Sequence, residues 1–140
     1  MNTVQPHWSI DHIGIAVTDL DQALRFYQMT TGAEVSLRER LDSQGVELVF
    51  IDTGEAKIEL LAPLRPDSAL GKFLQKRGPG LHHVCYRVTD IRKELKRLAD
   101  MGVKLIDSEP RSGAGGTQIA FLHPSSCIGT LTELCEYSDS

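Results

Sequence analysis

Apolar and polar positions alternate twice along this chain in the same way, each time ahead of a helical repeat. In the run Asp11-His12-Ile13-Gly14-Ile15-Ala16-Val17, Ile13, Ile15 and Val17 fall on one side, with small residues between them. This is the pattern of a strand with one buried face. Leu20, Leu24 and Tyr27 then recur at helical spacing, with Asp19 placed to cap the helix and Gly32 to end it. The second pass reads His82-His83-Val84-Cys85-Tyr86-Arg87-Val88, followed by Asp90 as cap, Ile91, Leu95 and Leu98 as the apolar stripe, and Gly102 as terminator. From histidine to glycine the spacing is 32 − 12 = 20 and 102 − 83 = 19 residues. A supersecondary unit has been duplicated.

Three strand candidates follow each helix: residues 33–40, 46–52 and 57–61 in the first half, and 103–106, 117–122 and 130–135 in the second. Turn-forming residues separate them, among them Thr53-Gly54, the glycines of 113–116, and 124–129. The expected fold is α+β, two tandem βαβββ modules at about 8–62 and 80–137, joined by a linker over 63–79 with a short helix around 69–75. At about 50 to 60 residues neither module buries both faces of its sheet alone, so a single domain over 1–140 is expected.

Composition narrows the function. The chain has 140 residues, 41% hydrophobic and 24% charged, with a formal net charge of −4. That balance argues against a nucleic-acid partner, which needs clustered cations. The densest basic group, Arg92 to Arg97, alternates with apolar helix positions as a solvated face does. No apolar run approaches a membrane span, and Met1 to Trp8 lacks the basic start and hydrophobic stretch of a signal peptide. Cys85, Cys127 and Cys135 form no CxxC pair, which suits free thiols in a cytoplasmic setting, with Cys85 and Cys135 as small buried apolar residues.

The duplicated frame also carries misplaced polar residues. His12 and His83 occupy equivalent positions in the first strand of each module, and Glu59 and Glu133 in the last. The separations are 59 − 12 = 47 and 133 − 83 = 50 residues. A carboxylate in an apolar strand is costly without a partner, and two of them matched to two histidines imply a shared cation. Four N/O ligands leave two positions of an octahedron open, which suits Co²⁺, Mn²⁺, Ni²⁺ or Mg²⁺ better than a closed zinc site. His82 should point to the opposite side of its strand, and His7 and His123 have no counterpart at a ligand position.

These residues resemble the vicinal-oxygen-chelate (glyoxalase-like) superfamily and, within it, the methylmalonyl-CoA epimerases. The likeness rests on 11–17, Gln44-Gly45-Val46, 58–64, 80–84, the Gly113-Ala114-Gly115-Gly116 turn, Phe121-Leu122-His123-Pro124 and 131–134. It implies a cobalt-type ion at His12, Glu59, His83 and Glu133 and a 2-methylmalonyl-CoA thioester substrate inverted at C2; a homodimer is expected only because most soluble oligomers are symmetric dimers. Inversion needs a base on one face and an acid on the other; Glu133, at the expected metal, is the candidate for one of them. Family members with a second glutamate carry it two residues after Gln-Gly-Val, where this chain has Leu48; Glu47 is one place off. Ser125-Ser126-Cys127 stands where epimerases more often have a lysine and a glycine-rich turn. Gly113, Gly115 and Gly116 either admit a ligand to backbone amides or form a plain hairpin turn. A glyoxalase I-type lyase and a non-catalytic binding or resistance protein are the competing readings of the same frame.

Overall fold

The computed structural model describes residues 8–138; the N-terminal segment read above for a signal peptide falls, with His7, almost wholly outside them. The contacts divide the chain into two compact units, His12–His83 and residues 84–138 with 8–11.

In the first unit, β1 (Ser9–Ala16) is followed by α1 (Leu20–Thr31), β2 (Val35–Leu41), β3 (Val46–Asp52) and β4 (Lys57–Pro63), with strand order β2-β3-β4-β1. Strand β1 pairs in parallel with β4, while β3 is antiparallel to both of its neighbours. The Asp19 carboxylate accepts from the Gln22 amide at 3.0 Å, and Gly32 closes α1 in the left-handed conformation at φ 71°. One strand face packs on the helix: Val49, Ile51 and Leu60 form a buried cluster with Leu20, flanked by Leu24 and Tyr27. Burial on β1 differs from the alternation expected from its sequence. Ile15 and Val17 are only partly buried against α1 and Ile13 is exposed, whereas His12 and Ala16 on the other face are buried. The small residues are the enclosed ones because their face carries the polar cluster described below. The linker holds α2 (Ala69–Arg77), capped by the Ser68 hydroxyl, which accepts from the Gly71 amide at 3.1 Å.

The second unit repeats the plan with β5 (Gly80–Arg87, paired from Val84), α3 (Ile91–Asp100), β6 (Arg111–Ser112), β7 (Gln118–Leu122) and β8 (Thr132–Glu136), in order β5-β8-β7-β6. Asp90 caps α3 by accepting from the Lys93 amide at 3.1 Å, and Gly102 follows it at φ 88°. Ile91, Leu95 and Leu98 pack with Val88, Ala120, Leu122 and Leu134. Arg92, Lys93 and Lys96 are exposed, as a solvated face requires.

The strand expected over 103–106 does not form. That segment makes one isolated bridge, Leu105 to Leu122, and the short strand beside β7 is β6 instead. The Asp107 carboxylate takes the Phe121 amide at 2.9 Å, a position a neighbouring backbone carbonyl would otherwise fill, and ends the pairing.

Candidate metal centre

In the first unit the strand face away from α1 gathers the polar residues. Parallel register sets Glu59 of β4 opposite Gly14 of β1, and His12, two residues back, shares that face. His12 Nε2 lies 3.3 Å from Glu59 Oε1, His83 Nε2 lies 3.2 Å from the same oxygen, and the two Nε2 atoms are 3.2 Å apart. All three residues are buried, at 5%, 4% and 2% exposure for His12, Glu59 and His83. Such enclosure leaves water little part in solvating the carboxylate.

Local sequence explains the packing. A Cβ at position 14 would stand 2.1 to 2.7 Å from atoms of the His83 ring, so glycine is what lets the imidazole enter. Phe50, opposite Glu59 in β3, meets the His12 ring edge-on at 4.9 Å. Burial by itself would raise the Glu59 carboxyl, but hydrogen bonds and positive charge from His12 and His83 outweigh it and hold the carboxyl below its ordinary range.

The three donor atoms suit a divalent metal ion. A triangle with edges of 3.2 to 3.3 Å has its centre about 1.9 Å from each corner (edge divided by √3), close to the roughly 2.0–2.2 Å of metal–nitrogen and metal–oxygen bonds. His12, Glu59 and His83 would hold such an ion between them. Imidazole and carboxylate donors fit first-row divalent ions.

His82 makes a contact that strand alternation does not anticipate. Strand alternation sends it away from His83, yet its Nδ1 lies 2.8 Å from His83 Nδ1. Its ring also meets Phe73 of α2 edge-on at 4.8 Å.

The fourth expected ligand, Glu133, belongs to the second unit. It is buried at 6% exposure in β8, opposite Cys85 of β5 and Phe121 of β7. Its place repeats that of Glu59: each glutamate pairs with the residue two beyond a histidine, Gly14 after His12 and Cys85 after His83. On the same face Cys85 and Cys135 pack with Ile119, beside Phe121 and Tyr137. Burial pushes the Cys85 thiol far up, which keeps it neutral and apolar in character. The Tyr137 hydroxyl donates to Asp11 at 2.6 Å.

Residues 11–121 match the Glyoxalase/Bleomycin resistance protein/Dioxygenase superfamily. The ethylmalonyl-CoA/methylmalonyl-CoA epimerase of Cereibacter sphaeroides is 42% identical, across 89% of this chain and 95% of that one. The mitochondrial methylmalonyl-CoA epimerase of Bos taurus is 40% identical over 92% and 76%. A methylmalonyl-CoA epimerase solved with methylmalonyl-CoA and NH4+ superposes with a TM-score of 0.90 at 41% identity, covering 96% of this chain and 97% of that chain. The chain belongs to the methylmalonyl-CoA epimerase family.

The chain departs from the epimerase pattern first in β3. The pairing of Val46–Asp52 with Lys57–Pro63 runs without a bulge, so Leu48 shares a face with Phe50 and Glu47 faces the other way. Glu47 is engaged there by Arg38 at 3.3 Å. Leu48, where the family resemblance led to the expectation of a glutamate, is 1% exposed. Residues 124–126 form a 3₁₀ turn in which His123 Nδ1 accepts from the Ser125 amide at 3.1 Å, so His123 acts as a turn cap. In the glycine turn, Gly115 and Gly116 have φ of 66° and 76°, a conformation that favours glycine whatever else the turn does.

Proposed function

We propose that this protein is a metal-dependent epimerase that interconverts the C2 epimers of methylmalonyl-CoA. The observation that carries the reading is the buried triangle of His12, Glu59 and His83, in a chain about 40% identical to named epimerases over most of its length. Glu133 is proposed as the fourth ligand, on the strength of its repeated register and the family resemblance. A cobalt-type divalent ion is the proposed occupant. When bound, such an ion polarises the substrate's carboxylate and thioester oxygens and so stabilises an enolate.

The chain's own groups divide the remaining work. With an ion in place His12 and His83 would each give it a neutral ring nitrogen, Glu59 would supply negative charge, and burial of all three would exclude competing water. Glu133 is the proposed proton carrier on one face of C2. The second carrier is neither Leu48, which has no proton to give, nor Glu47, which is turned toward Arg38. The two modules are proposed to fold as one domain over 1–140 and to pair with a second copy. Three free thiols support a cytoplasmic setting, and among the described residues no helix is long and apolar enough to cross a membrane.

The test is exchange of the C2 proton of methylmalonyl-CoA with deuterated water, with protein stripped of metal and then given Co²⁺. Exchange is expected only after loading, and His12→Ala should lower it at least 100-fold, since losing one of the three donors breaks the set. No exchange with either epimer, or faster turnover of methylglyoxal with glutathione, would overturn the assignment.

A further inference from the structure

We propose that His82 is a positioning residue that fixes the tautomer and ring orientation of His83, an inference that rests on the reading of His83 as a metal ligand. The carrying observation is the 2.8 Å separation of the two Nδ1 atoms. One imidazole nitrogen of such a pair must bear a proton and the other accept it. His83 turns its Nε2 toward Glu59 Oε1 and His12 Nε2. If that nitrogen gives its lone pair to an ion, the ring proton must sit on Nδ1, where it donates to His82 Nδ1. An acceptor at this point fixes the plane of the ligand ring and raises the basicity of its free nitrogen.

His82 is itself held. The Phe73 ring meets it edge-on with centroids 4.8 Å apart, and the Arg77 guanidinium lies 5.7 Å from the Phe73 ring centre. Both belong to α2, so the linker helix does more than connect the modules, bracing the residue that aims a ligand. Adjacent histidines in one strand are thus unequal, His83 buried and turned to the cluster, His82 half-buried and turned to its neighbour.

The experiment compares wild type, His82→Leu and His82→Asn in the full chain. Co²⁺ affinity is measured by competition with a chromophoric chelator, and the His83 tautomer by nitrogen-15 NMR of the Zn²⁺-loaded protein. Asparagine can place its amide oxygen near the position of the histidine Nδ1; leucine offers no acceptor. His82→Leu should weaken Co²⁺ binding about 10- to 100-fold, while His82→Asn recovers most of the affinity and keeps the His83 proton on Nδ1. Equal affinity in wild type and His82→Leu would overturn the proposal, as would equal losses in both variants, which would mean that the ring acts by packing on Phe73 alone. Failure of the wild type to take up any divalent ion has a different signature and overturns the ligand reading beneath it.

Discussion

Gly14 shows how much one missing side chain decides. Its role is steric: a methyl group there would overlap the His83 ring at 2.1 to 2.7 Å. The imidazole cannot shift far, because it is 2% exposed and held between Glu59, His12 and His82. Gly14→Ala should therefore displace His83 from its partners and cost about 1–3 kcal/mol of stability, as overpacking does. Divalent affinity should fall at least tenfold with it. Chelator competition and thermal melts on the same preparation check both, and a variant that binds Co²⁺ like wild type would show that the ring has another place to go. The sequence marked Gly14 only as a small residue in an alternating strand. What it makes room for is visible only once β1 and β4 are in register and His83, 69 positions later (83 − 14), has arrived.

At the scale of elements, legibility follows how local the cause is. Asp19 and Asp90 could be read as caps because a cap acts within three residues, and both carboxylates accept the expected amides. The apolar stripes of α1 and α3 were equally plain. The strand assigned to 103–106 failed because its fate depends on Asp107, whose carboxylate competes for the Phe121 amide 14 positions away, and no periodicity encodes that. Much the same holds for His82: alternation describes where a Cβ points, not where a ring reaches. The proposed ligands could be singled out because duplication repeats them, and Glu59 and Glu133 do stand in equivalent registers. Asp90→Ala gives the caps a measurable value. It removes the acceptor of the Lys93 amide but leaves the Ile91 amide bonded to Glu136 at 2.8 Å, so only one donor is lost. The expected cost is about 1 kcal/mol, or roughly 3–5 °C in melting temperature for a chain of this size. A double variant with Asp19→Ala should lose the sum, because the two helices cap separately.

For the molecule as a whole, the proposed ion site would link stability to metal. His12, Glu59 and His83 lie 47 (59 − 12) and 24 (83 − 59) positions apart, so an unfolded chain offers no preformed triangle. Without an ion, the three buried polar groups lie against one another at 3.2 to 3.3 Å, an arrangement that stabilises little beyond offsetting its own desolvation. An ion that binds the folded state alone adds RT ln(1 + [L]/Kd), about 2.7 kcal/mol at a hundredfold excess over Kd. Scaled as for the caps, that corresponds to a rise of roughly 8–14 °C in melting temperature. Co²⁺ should therefore raise the transition of metal-stripped protein by this amount, and EDTA should return it to its starting point. His12→Ala removes one corner of the triangle and should melt at the same temperature with and without Co²⁺. Nonspecific binding of the ion to surface carboxylates would raise both proteins alike, and an equal rise in the variant would mean that the stabilising ion sits somewhere other than between these side chains.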